Sequence, residues 1–166
     1  MFMVKIESLR DYINNNDEFV ELVSKIYDFT SFIINDYPNY KNWYFNKVLP
    51  DIINNERDIL FTRNPNNYNE IISMLCLKNS NEEKKICTLY VSDKYRNLGI
   101  GSSLIMEAMN ILDTSKPFIT IMDYKLDVFK PIINKFNWKL TEVIPSLYNN
   151  SCEFCFNGNE EKILKR

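Results

Sequence analysis

Val91-Ser92-Asp93-Lys94-Tyr95-Arg96-Asn97-Leu98-Gly99-Ile100-Gly101-Ser102-Ser103-Leu104 is the stretch on which the fold turns. It follows an apolar run over residues 86–91 and passes into a stripe of helical period: Leu104, Ile105, Ala108, Met109, Ile111 and Leu112. Gly99 and Gly101 are two of only 3 glycines in 166 residues. Glycine adopts backbone angles closed to other residues and lets a ligand approach the main chain, so two of them spaced by one residue at a helix start make an amide-lined concavity. The free N–H groups and the positive end of the helix dipole favour phosphate there. The stretch therefore predicts a diphosphate cradle, although a tight strand-to-helix turn uses the same spacing. A dinucleotide fingerprint would need a third glycine where this chain has Leu104, and a P-loop would need Gly-Lys-Ser/Thr; neither is met.

Working outward, residues 117–122 form another buried-looking strand, and strand, helix, strand in this order implies a right-handed parallel crossover. A helix is predicted over 128–136, with Pro131 forcing a late start or a kink. Strands over 138–143 and 152–156 follow, closed by the turn dipeptide Asn157-Gly158. Upstream, strand-length runs at 58–63, 70–77 and 86–91 are separated by polar loops at 64–69 and 78–84, which favours an antiparallel meander. Before them, Phe19, Val23, Ile26, Tyr27 and Phe32 predict a helix over 17–34 capped by Asn16 or Asp17. Tyr40, Trp43, Tyr44, Val48 and Leu49 predict a second, short helix stopped near Pro50, and residues 4–8 a short strand. There is no internal repeat, the many asparagines are dispersed, and the charged tail 159–166 reads as a solvated end.

One domain over residues 1–166 fits the length. Hydrophobic residues at 45% and charged residues at 25% are globular proportions. A formal charge of −2 provides no broad field for nucleic acid or an anionic membrane, so any anion must be bound locally. With 0 histidines, Ser-His-Asp triads, Cys-His dyads, His-bearing zinc sites and imidazole bases are excluded. Cys76, Cys87 and Cys155 sit in apolar, strand-like runs and read as reduced, small apolar residues. Cys152 and Cys155 spell C-x-x-C, but an extended segment sends them to opposite faces, which suits neither a metal clip nor a redox pair. The N-terminal residues meet charge at once, and no membrane span is found, so a cytoplasmic address is expected.

Arg96-Asn97-Leu98-Gly99-Ile100-Gly101 resembles the pyrophosphate loop Gln/Arg-x-x-Gly-x-Gly/Ala of the GNAT superfamily of acyl-CoA-dependent N-acetyltransferases. The likeness extends to the order of elements over nearly the whole chain. It implies an α/β (mixed α+β) fold: a single domain with a central, mostly antiparallel mixed sheet, splayed at a parallel strand pair and flanked by helices. It implies acetyl-CoA as acyl donor, without a metal. The pantetheine arm would lie along the main chain of Leu89, Tyr90 and Val91. The diphosphate would rest on the amides of Leu98, Gly99, Ile100, Gly101, Ser102 and Ser103, in a loop opened by Arg96 and Asn97. Ser102 and Ser103 either add a hydroxyl or merely cap the helix. The implied activity is transfer of acetyl from acetyl-CoA to a primary amine of a small molecule or peptide by direct attack. A CoA-binding sensor without turnover is the first alternative, an interaction domain with an unused splay the second. A homodimer is left open.

The chain departs from the resemblance at the chemistry. Many members carry a glutamate on the strand corresponding to 86–91, where this sequence aligns Lys85, and a tyrosine where it aligns Ile133. Strand ends flanking a switch point place Asp123 and Tyr124 at the rim of the splay, Tyr124 to protonate the departing sulfur and Asp123 to accept a proton. Tyr148 and Glu153 are weaker candidates. Tyr37, Tyr40, Trp43 and Tyr44 either wall an acceptor pocket or, as the favoured reading, simply pack.

Overall fold

β1 (Ile6–Ser8) leads into α1 (Asn16–Thr30), α2 (Tyr40–Trp43) and α3 (Leu49–Ile53). Then come β2 (Arg57–Asn64), β3 (Asn67–Asn79) and β4 (Lys84–Val91), the antiparallel meander that the polar loops predict. The chain crosses through α4 (Ile100–Leu112) to β5 (Phe118–Met122), which lies parallel to β4, and ends in α5 (Leu126–Lys135), β6 (Leu140–Pro145) and β7 (Cys152–Phe156). This computed structural model describes residues 2–145 and 150–158; Tyr148 and the tail 159–166 lie outside them. The strands form one sheet in the order β1-β2-β3-β4-β5-β7-β6, so β7 inserts between β5 and β6 and is antiparallel to both.

Both faces of the sheet are covered, which is why its central strands are apolar runs without alternation. Ile59 and Phe61 of β2, with Met74 and Cys76 of β3, face Leu22 and Ile26 of α1 and Tyr44, Val48 and Ile52. Leu60, Leu75, Leu77 and Ile86 point the other way, onto Leu104, Ile105, Ala108 and Leu112 of α4. Those four belong to the six-residue stripe expected from the sequence and are buried, while its other two members, Met109 and Ile111, are partly buried.

Four local expectations are corrected. The cap of α1 is Asn15, whose Oδ1 accepts from the Glu18 amide at 3.4 Å, because the helix begins one residue earlier than its apolar pattern. The same helix leaves α geometry at Thr30, whose hydroxyl bonds back to the Ile26 carbonyl at 2.9 Å, and runs on as a tight turn over Ser31–Asn35. Pro50 does not stop the second helical segment, which runs on to Ile53; a wide π turn over Tyr44–Val48 precedes it and relaxes the i→i−4 ladder that a proline would break. Helix α5 starts at Leu126, before Pro131, so the proline delays nothing.

Candidate active site

The sheet opens where β4 and β5 diverge. They pair only at Lys85 with Phe118 and Ile86 with Ile119. On the other side of β4, Leu77 of β3 faces Ile86 and Cys76 faces Thr88, so Cys87 is an extra residue, a bulge. A bulge bends its strand and raises its twist, and this one sits one residue past the last β4–β5 pair. From Cys87 on, the edge of β4 turned toward β5 makes no ladder, and a cavity of about 330 Å³ lies between the strands. Residues 87–90 and 120–122 line it from the sheet, and Tyr37, Tyr40 and Trp43 close it from the helical side.

The loop after β4 sits beside this opening. Asn97 and Gly99 take left-handed backbone angles, with φ of 61° and 82°, and turn the chain into α4. No side chain caps α4, so the amides of Ile100, Gly101 and Ser102 point out of its first turn without a helical acceptor. Ser103 is committed, since its amide and its hydroxyl both donate to the Gly99 carbonyl at 3.0 Å. Arg96 stands at the mouth: its Nε donates to the Val91 carbonyl at 3.2 Å, and its Nη2 pairs with Asp93 at 2.9 Å. The two glycines serve different ends. Only Gly99 needs glycine's backbone freedom; Gly101 lies in the helix, and a Cβ there would meet Val91 Cγ2 at an ordinary 3.7 Å. No neighbour in the protein crowds a side chain at 101, so its bareness leaves room for something outside the protein. Leu89 and Tyr90 line the cavity, while Val91 packs toward α4.

The residues named for proton transfer are distributed unevenly. Asp123 Oδ1 accepts from the Tyr124 amide at 2.7 Å and its Oδ2 from the Cys152 amide at 3.1 Å, so it ties the end of β5 to the start of β7. Tyr124 is 52% exposed. Burial of its hydroxyl, then its hydrogen bond to Asp36, keep that hydroxyl protonated well above the ordinary tyrosine range. Glu153 lies deeper: Tyr37 donates to its Oε1 at 2.8 Å, and Tyr37 lines the cavity. Burial first, and Glu153 second, push the Tyr37 hydroxyl far above the ordinary range, so it is a held proton. The aromatic cluster divides. Tyr44 is core, its hydroxyl bonded to the Val23 carbonyl at 2.8 Å, whereas Tyr37, Tyr40 and Trp43 reach the cavity. Lys85 also lines it, while Ile133 packs in the α4-side core.

Residues 18–119 match the acetyltransferase (GNAT) family. The chain belongs to that family. Its splayed sheet is the family's fold. A GNAT acetyltransferase from Bacillus cereus ATCC 10987 is 17% identical, with 93% of this chain and 96% of that one covered at a TM-score of 0.61. PaiA N-acetyltransferase from Thermoplasma acidophilum, crystallised with coenzyme A, is 15% identical with 92% and 98% covered at 0.60. Nourseothricin acetyltransferase is 9% identical at 0.54, over 62% of this chain, and the match spans only 65% of that protein. No curated protein matches the sequence.

Within this GNAT domain, the sequence reading missed a polar cluster at the cavity floor. Arg57 is only 6% exposed, yet charged; its Nε donates to Asp51 Oδ2 at 2.9 Å and its guanidinium lies 5.5 Å from the Trp43 ring centre. Its Nη1 donates to Cys87 Sγ at 3.0 Å. The hydrogen bond from Cys76, with the charges of Arg57 and Lys85, holds the Cys87 thiol below the ordinary thiol range. The same contact, and burial, push Cys76 up. Neither member is visible locally, because Arg57 stands among polar residues just before the strand-length run 58–63, and Cys87 reads as a small apolar residue. Among the described residues, no group of His, Cys, Asp and Glu is arranged to hold a metal ion, and no helix is long and apolar enough to cross a membrane.

Proposed function

We propose that this GNAT protein, acting as one cytoplasmic domain, moves an acetyl group from acetyl-CoA to a primary amine of a small molecule or peptide. The observation that carries the reading is the splay itself, with an unladdered edge over residues 87–91 beside uncapped helix amides at 100–102. Pantetheine amides complete the edge as an added strand would, and the diphosphate takes the amides beside Arg96. The thioester then lies against the cavity, and the amine enters from the aromatic wall. CoA bound to the Thermoplasma protein of similar fold supports this donor.

An amine near pKa ~10.4 must lose a proton before it attacks, and the departing thiolate must gain one. The Tyr37–Glu153 pair is the path we assign to both: Glu153 accepts the ammonium proton, and the Tyr37 hydroxyl, held protonated, serves the sulfur. Tyr37 lines the cavity and bonds Glu153 at 2.8 Å, whereas the two oxygens of Asp123 are engaged by backbone amides. In the direct route, the neutral amine attacks the thioester carbonyl itself. Single-turnover consumption of acetyl-CoA with a panel of amines tests the proposal. Acetylated amine with release of CoA is expected; tight binding without turnover would instead establish the CoA-sensor alternative.

A further inference from the structure

The cavity floor holds a nucleophile that the proton path does not use. Cys87 is the bulged residue of β4, so the bend that opens the splay also sets its side chain on the α1 face of the sheet, where it lines the cavity. Its sulfur accepts from Arg57 Nη1 at 3.0 Å, and Arg57 is itself fixed by Asp51 at 2.9 Å and by the ring of Trp43. Lys85 lines the same cavity; Glu83 opposes it but is paired with Lys78 at 2.9 Å. From β3, the buried Cys76 belongs to the core cluster against which Cys87 packs. A sulfur fixed against a buried guanidinium and open to a cavity is in the setting that favours the nucleophilic thiolate.

We propose that Cys87 is a self-acylation site, taking the acetyl group from acetyl-CoA in the splay when no amine occupies the cavity. The inference rests on acetyl-CoA being the donor. The Cys87 thiolate attacks the thioester carbonyl, a bond forms between Cys87 Sγ and the acetyl carbon, the bond to the CoA sulfur breaks, and CoA leaves as thiolate. One thioester replaces another, so no proton, oxidant or second substrate is needed. The reverse reaction is open to free CoA, and the acetylated fraction follows the ratio of acetyl-CoA to CoA. The acetyl group then stands where an amine would enter, and Arg57 loses the anionic sulfur it was paired with.

The test is incubation of the full chain with acetyl-CoA and no amine, acid quenching, and peptide mass mapping. One acetyl group is expected on Cys87, stripped by excess CoA and absent from Cys87→Ala. Arg57→Lys, which keeps a charge but loses the fixed guanidinium, is expected to slow the acetylation about tenfold or more. Calorimetric titration with acetyl-CoA, on parent and Cys87→Ala, separates the two claims. If acetyl-CoA binds while Cys87 stays unmodified, or is modified no faster than Cys152, the self-acylation site is overturned and the donor stands. If the parent binds no acetyl-CoA, both fall.

Discussion

Tyr37 and Glu153 meet at 2.8 Å although 116 positions separate them, and the burial of the phenol decides its role. A hydroxyl pushed above the ordinary range remains protonated as pH rises through ~10, so an acid built on it does not switch off there. Tyr37→Phe and Glu153→Gln should each lower turnover by about 10²-fold or more while acetyl-CoA affinity, measured by calorimetry, is kept. Tyr124 lies outside the cavity lining, and Tyr124→Phe should change turnover by less than about threefold if Tyr37 is the acid. In the parent, turnover should hold level up to about pH 10; a descending limb centred on an unperturbed tyrosine would point away from Tyr37. At the loop, Gly101→Val adds bulk where the protein offers only ordinary contacts, and valine suits a helix better than glycine does. Its melting temperature should therefore stay near the parent's while acetyl-CoA binding is lost. Binding at the parent's affinity would move the diphosphate elsewhere.

At the level of elements, the start of α4 and the bulge of β4 together make the site. Gly99 turns the chain at φ 82° with nothing within 4 Å of a would-be Cβ, so the cost of a side chain there is backbone strain alone. Gly99→Ala should destabilise the fold by about 1–2 kcal/mol in chemical denaturation, and Gly99→Asn by less, because asparagine tolerates left-handed angles. Gly158 differs: a Cβ there would lie 2.9 Å from Phe118 Cε2, against a buried ring at the start of β5. Its constraint is space at the closing turn. The bulge at Cys87 has the opposite character, since it adds a residue and bends β4 away from β5. A ladder continued beyond Ile86 would close the cavity.

For the whole molecule, the proposed donor completes the β4 edge that faces the cavity, so binding is expected to stabilise the fold. At a free concentration 100 times the dissociation constant, mass action contributes about 2.7 kcal/mol. In a domain of this size that amounts to a rise of several degrees in melting temperature, and CoA should act nearly as well as acetyl-CoA because the proposed contacts are to diphosphate and pantetheine. An unchanged melting temperature in millimolar acetyl-CoA would remove the donor assignment. The helical aromatic wall couples the acceptor side to the same core: Tyr40 bonds Thr30 at 2.7 Å and stacks on Tyr27, so the wall is rigid before any amine arrives.

What could be read from the chain was whatever consecutive residues carry. The meander follows from apolar runs and short polar loops, α4 from its stripe, and the family from six residues, Arg96 to Gly101, because a helix start with spare amides is a local object. The reduced cysteines and the excluded histidine chemistry are equally matters of composition. What required the tertiary structure depends on the register between distant strands. The bulge exists only because Leu77 faces Ile86 while Cys76 faces Thr88, and it alone makes Cys87 a cavity residue. Arg57 is legible as a charge but not as a buried one, since its burial and its partners Asp51 and Cys87 come from three separate segments. Glu153 reaches Tyr37 because β7 inserts beside β5, an order that the run of strands along the chain does not state. Periodicity and glycine spacing act over a few bonds, whereas a buried charge or a proton path is made by the packing that brings remote segments together.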